Sequence, residues 1–79
     1  MWSLELMVNI QLSLDAVKVR DVIDQLNAAG WTLVATRGSH RQFKHPDRPG
    51  RVTVAGKPSE DLATGTLKSI AKQSGVALK

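Results

Sequence analysis

The chain has 79 residues, a formal charge of +4 and no cysteine. A chain of this length forms one small domain that buries only about 60% of its unfolded surface, which excludes a large enclosed substrate cavity. The lack of cysteine excludes disulfides, thiolate catalysis and cysteine-ligated zinc.

The first 16 residues alternate between apolar and polar side chains. The apolar positions are Leu4, Leu6, Val8, Ile10, Leu12 and Leu14. A period of two over this length predicts an amphipathic strand, which would expose an apolar stripe and an open edge if nothing covered it. Residues 1–16 are therefore interpreted as an N-terminal extension, strand-like or disordered, that could self-associate. Alternatively, the biological start of the protein lies near Val17, and residues 1–16 are a stretch read in front of the domain.

A helix is predicted next. Its apolar residues recur at the spacing of one helical face: Val19, Val22, Ile23, Leu26 and Ala29. Asp15 is the expected N-cap, and Gly30 is a typical residue just beyond the end of a helix.

Three strands and a second helix are predicted after Gly30. The strands cover residues 31–36, about 39–45 and 51–55, with dense turn chemistry over 46–50, and the helix covers roughly 64–74. This order predicts an α+β fold, an α-β-β-β-α two-layer sandwich. Its three-stranded antiparallel sheet carries both helices on one face and leaves the other face open. Residues 17–79 form this domain.

Strand parity predicts that Leu33 and Ala35 share one face of the first strand, and it divides the second strand as well. His40, Gln42 and Lys44 share one face, while Arg41, Phe43 and His45 share the other. Phe43 is the only apolar residue of the six, so its face is predicted to meet the core and His40 to lie on the open face. Trp31 is interpreted as a core residue, which leaves few aromatic side chains for stacking bases.

His40 is the candidate catalytic residue. An imidazole can take up or give a proton near neutral pH, and neighbouring cations can hold a phosphodiester and stabilise its transition state. His45 lies on the opposite face, roughly 16 Å along the strand, and is interpreted as structural. No carboxylates stand at metal-ligand spacing with a histidine, so neither a metal nor another cofactor is expected.

Positive charge is concentrated in the predicted domain. All 11 lysines and arginines and five of the seven acids follow residue 16, a distribution typical of a nucleic-acid partner, although a solvated basic surface is the simpler alternative. The candidate RNA-binding residues are Arg37, Gly38, Ser39, Arg41, Lys44, Lys68 and Lys72. No apolar run approaches the roughly 18 residues of a membrane span, and the first residues lack the charge of a signal peptide. A cytoplasmic protein without a membrane partner is expected.

The chain resembles the HicA family of bacterial toxins, the mRNA interferases of type II toxin–antitoxin systems. The resemblance runs through Val17–Ile23, Ala29–Trp31, Arg37–Pro46, Val52–Gly56 and Thr66–Ile70, and Gly38-Ser39-His40 is its most specific part. Residues 1–16 lie outside it.

This resemblance implies a fold similar to a double-stranded-RNA-binding domain. It also implies a metal-independent endoribonuclease that acts on mRNA with His40 as catalytic residue, and a HicB-type antitoxin that covers the site. Two alternatives stay open: an RNA-binding module of the same fold that does not cleave, and a protein that mainly pairs with an antitoxin and reaches DNA only through it.

Overall fold

The computed structural model describes residues 17–79. Along the chain it contains α1 (Val19–Ala28), β1 (Thr32–Arg37), β2 (His40–His45), β3 (Arg48–Ala55) and α2 (Thr64–Ser74). The strands form one antiparallel sheet in the order β1-β2-β3. The predicted α+β fold with the order α-β-β-β-α is therefore confirmed. The predicted extension over residues 1–16, with its self-association, lies outside the described residues.

The core lies between the two helices and one face of the sheet. Phe43 is 1% exposed and Trp31 2% exposed, so the interpretation of both as core residues is confirmed. The fully packed set is Val19, Val22, Leu26, Trp31, Phe43, Val52, Val54 and Ile70. Because Phe43 pairs with Val52 across β2 and β3, these side chains share a face, and both helices pack on that face. Among residues 17–79, no helix or further strand covers the opposite face, which we call the open face.

The amino end of α1 is capped by a distant loop. Lys18 occupies the N-cap position, so the expectation that Asp15 caps this helix was wrong. The N–H groups of Val19 and Arg20 donate to the carbonyls of Glu60 and Pro58 at 2.9 and 3.1 Å. The loop before α2 therefore satisfies two of the N–H groups that a helix leaves without partners at its amino end.

A bulge in β1 changes the parity predicted for that strand. The prediction placed Leu33 and Ala35 on one face, but Leu33 pairs with Phe43 whereas Ala35 pairs with Gln42. Two residues of β1 thus span one residue of β2, and Leu33 and Ala35 fall on opposite faces. The prediction was wrong here because strict alternation does not allow for an inserted residue. The inserted Val34 and its neighbour Leu33 are each 48% exposed.

The turn between β2 and β3 is shorter than predicted. Turn chemistry was expected over residues 46–50, yet only Pro46 and Asp47 separate the paired residues His45 and Arg48. Pro49 and Gly50 belong to β3, which is an edge strand and therefore tolerates a proline without an N–H. The register shift in this part of β3 absorbs the additional residues.

The second helix matches its prediction from Thr64 to Ser74. Gly75 follows it with φ +72°, in the left-handed conformation that glycine adopts most easily at a helix end. Lys68 and Lys72 are exposed, while Ile70 faces the core. No helix within residues 17–79 has the length and apolar character needed to cross a membrane.

Candidate nucleic-acid interface

A two-residue turn places Arg37 beside His40. Gly38 and Ser39 connect β1 to β2, and Gly38 has φ +55°, as expected for a tight hairpin loop with glycine in the first position. Arg37 and His40 are consequently direct cross-strand partners, a relation that brings their Cβ atoms to about 4.5–5.5 Å. The guanidinium and the imidazole can therefore act on the same phosphate.

The bulge in β1 sets the register in which Arg37 pairs with His40. Leu33 pairs with Phe43 and Arg37 with His40, yet Leu33 and Arg37 are four residues apart along β1, whereas Phe43 and His40 are three residues apart along β2. One inserted residue reconciles the two counts. It therefore allows Leu33 to pair with a core residue while Arg37 reaches the open face.

The open face consists of short cross-strand rows. His40 lies between Arg37 and Ala55, and Gln42 lies between Ala35 and Thr53. We call the following set the basic face: Arg37, His40, Gln42, Lys44 and Arg51. His40 is exposed and its neighbour Ala55 is small, so a ligand can approach the imidazole from above the sheet.

Charge on the sheet has a single sign. None of the three strands contains an aspartate or a glutamate. Within the part of the chain that the structure describes, the one ion pair joins Lys18 and Asp61 at 3.0 Å, between the N-cap of α1 and the loop before α2. The cations of the basic face are therefore not neutralised by carboxylates on the strands, and they form an attractive surface for a polyanion.

Arg41 lies on the other face from His40. Its guanidinium donates to the carbonyl of Gly56 at 2.8 Å and to that of Ser39 at 3.5 Å. The N–H of Gly56 in turn donates to the Ser39 carbonyl at 3.2 Å. These bonds attach the turn before His40 to the end of β3. The geometry gives Arg41 a structural contact, and its predicted binding of RNA stays a prediction.

His45 is held among backbone groups at the far end of β2. Its Nδ1 accepts a hydrogen bond from the Asp47 N–H at 3.0 Å, so Nε2 carries the proton and donates to the Ala29 carbonyl at 3.0 Å. The ring also contacts Trp31, with 5.3 Å between ring centroids. This arrangement joins the second turn to the end of α1 and agrees with the structural interpretation of His45.

The remaining candidate RNA-binding residues lie at different distances from His40. Lys44 is on the same face of β2, four residues away, or roughly 13 Å along the strand. Lys68 and Lys72 are exposed on α2, which packs against the opposite face of the sheet. The structure therefore places Lys44 on the basic face and does not bring the two lysines of α2 to it.

Arg51 was not among the candidate RNA-binding residues, yet it lies on the basic face beside Gln42, whose place on that face strand parity predicts. Nη1 of Arg51 donates to Oε1 of Gln42. Strand parity is the signal that could have found Arg51, because Val52 and Val54 alternate with it and are buried.

The described residues contain no group of three or more His, Cys, Asp or Glu side chains arranged to hold a metal ion. The absence of a cofactor and the metal independence of any reaction remain predictions.

Comparison with known proteins identifies one family. A family model described as HicA toxin of bacterial toxin–antitoxin matches residues 19–76. The match covers most of the chain, from α1 through α2, and includes the whole basic face. No curated protein is similar enough to count as a match.

Proposed function

The chain belongs to the HicA family of toxins of bacterial toxin–antitoxin systems, and from that premise we propose that it is an endoribonuclease that cleaves mRNA. His40 is its catalytic residue, and the reaction needs no metal ion. Family membership implies an antitoxin partner, which we propose to be of the HicB type.

One observation carries this proposal: Arg37 and His40 form a cross-strand pair on the open face of a sheet whose three strands contain no acidic residue. RNA supplies its own nucleophile, the 2′-hydroxyl next to each phosphodiester. His40 takes the proton of that hydroxyl as the oxygen attacks phosphorus and the bond from phosphorus to the 5′-oxygen breaks. The 5′-oxygen gains a proton from water, and Arg37 stabilises the charge that develops on the phosphoryl oxygens.

His45 does not supply the second proton transfer in this proposal. Its ring is on the other face of β2 and both ring nitrogens are engaged with backbone groups. A single imidazole with adjacent cations is the simplest set of groups that the basic face offers.

The proposal predicts that His40→Ala lowers the rate of RNA cleavage by about 10²- to 10⁴-fold, the usual contribution of a positioned general acid or base. The measurement is cleavage of a single-stranded RNA by purified protein with a chelator present. The fold of the variant is checked by circular dichroism. Equal cleavage by wild type and His40→Ala would show that His40 is not catalytic, and loss of wild-type cleavage on chelation would show that a metal is required.

The same experiment separates the ribonuclease from a module that only binds RNA. If wild type binds the RNA but leaves it intact, the non-catalytic alternative is correct. In cells, expression should arrest growth, and co-expression of an adjacent antitoxin gene should restore growth only if its product binds the toxin.

A further inference from the structure

We propose that Arg51, held by Gln42, is a phosphate-binding side chain that fixes the RNA one position from the phosphate on which His40 acts. This inference rests on the proposed function for the class of its ligand, RNA. It adds a binding residue on β3, outside the β1–β2 hairpin that carries Arg37 and His40. The interaction involves only charge and hydrogen bonding, with no covalent step.

The first support is position. Gln42 is two residues after His40 on the same face of β2, which corresponds to about 6.7 Å along the strand. Arg51 reaches Gln42 from the neighbouring strand through the hydrogen bond from Nη1 to Oε1. The Arg51 guanidinium thus lies beside the row of Ala35, Gln42 and Thr53, which is next to the row that contains Arg37 and His40.

The second support is that the hydrogen bond to Gln42 leaves most N–H donors of Arg51 available to a ligand. A guanidinium has five N–H donors in a planar fork that matches two phosphate oxygens. Gln42 accepts from one of its nitrogens, Arg51 is exposed, and the strands contain no carboxylate that could compete for the rest. The neutral amide orients the cation without cancelling its charge, so the fork is prepared for an anion.

The third support is the kind of surface around the pair. Trp31 and Phe43 are both buried on the side of the helices, so neither offers a platform on which bases could stack. Thr53, the cross-strand partner of Gln42, adds a hydroxyl donor on the same row. Recognition on this part of the sheet therefore depends on the sugar-phosphate backbone, a role for which a bidentate arginine is better suited than a lysine.

The test is binding of a short single-stranded RNA to protein that already carries His40→Ala, so that cleavage does not interfere. Adding Arg51→Gln should weaken binding about tenfold. It should also reduce the slope of log K against log salt by about 0.7, the change expected for one lost phosphate contact on a single strand. Arg51→Lys should keep most of the slope and recover only part of the affinity.

The matched control is Arg20→Gln in the same background. Arg20 is an exposed cation on α1, so this variant loses the same charge away from the basic face and should bind nearly as well as its parent. Gln42→Ala should weaken binding less than Arg51→Gln and leave the salt slope unchanged, because it frees the guanidinium without removing its charge.

Arg51→Gln and Arg20→Gln with equal affinity and equal salt slope would overturn the inference. That result would leave the proposed ribonuclease intact, provided that wild type still cleaves. Conversely, an unequal pair together with a wild type that never cleaves would retain Arg51 as an RNA contact and reject the ribonuclease.

Discussion

The open face of the sheet and the face covered by the helices are formed by the same three strands, and each carries a histidine and an arginine of β2 or β3. On the covered side, His45 and Arg41 bond to backbone carbonyls and an N–H group of neighbouring turns. On the open side, His40 is exposed next to Arg37, and Arg51 is held by a neutral amide. The same residue types thus connect parts of the fold on one face and remain available to a ligand on the other.

This comparison shows that proximity in sequence says little about role in a strand. Arg41 directly follows His40, yet it bonds behind the sheet to Gly56. Arg51 is 11 positions away from His40 and lies on its face because β3 returns along β2. Two factors decide whether such a side chain stabilises the fold or is available to a ligand. They are the face of the sheet that strand parity assigns to it and the unpaired backbone groups within its reach.

The largest expected effect is on stability, which should depend on residues of the covered face far more than on residues of the open face. Phe43→Ala should lower the free energy of unfolding by about 3–5 kcal/mol, close to the total stability of a small domain, and leave much of the protein unfolded. Its neighbour Lys44→Ala on the basic face should change that free energy by less than about 0.5 kcal/mol. Urea titration followed by circular dichroism measures both. Comparable losses for the two variants would contradict the assignment of faces.

Replacing the two histidines should have different effects: loss of His45 should lower stability, and loss of His40 should lower RNA cleavage. His45→Ala removes two hydrogen bonds with backbone groups and the contact with Trp31, which we expect to cost about 2 kcal/mol of unfolding free energy. A change of that size lowers Tm by about 10 °C in a domain of this length. Cleavage per folded molecule should be retained.

His40→Ala is the matched control for that experiment. It should keep Tm within about 3 °C of wild type, because an exposed side chain contributes little to stability, while cleavage is lost. A stable but inactive His45→Ala would reverse the roles assigned to the two rings.

The smallest expected effect concerns Arg41. Arg41→Met keeps an apolar stem and removes the bonds to Gly56 and Ser39, which should cost about 1 kcal/mol of stability. Because those bonds hold the turn before His40, kcat should fall several-fold with KM and the salt dependence of RNA binding unchanged. Lys44→Met should instead reduce the salt slope and leave stability unchanged. A reduced salt slope in Arg41→Met would show that Arg41 binds RNA directly, as its place in the sequence first suggested.

Much of the fold could be predicted because the described elements obey their local periods. The apolar spacing of residues 19–26 identified α1, and the bounds expected for α2, residues 64 and 74, are confirmed. One aromatic residue, Phe43, was sufficient to orient β2, since its five neighbours in the strand are polar or charged. That orientation by itself places His40 on the open face.

The errors have a common physical origin in pairing between strands. A period of two describes how side chains alternate along one strand. It cannot reveal a residue that is inserted relative to the partner strand, as Val34 is. The turn predicted over residues 46–50 is too long for a related reason. Proline and glycine are compatible with an edge strand, and only the order of the described strands shows that β3 lies at an edge.

The sequence by itself determined the order of helices and strands, the face on which His40 lies and the family to which the chain belongs, because these depend on side-chain patterns within single segments. The tertiary structure decided which cations accompany His40. It paired Arg37 with His40, brought Arg51 to Gln42 and turned Arg41 toward Gly56. These relations depend on the register between strands, which is fixed when the whole sheet packs on its helices and every backbone group finds a partner.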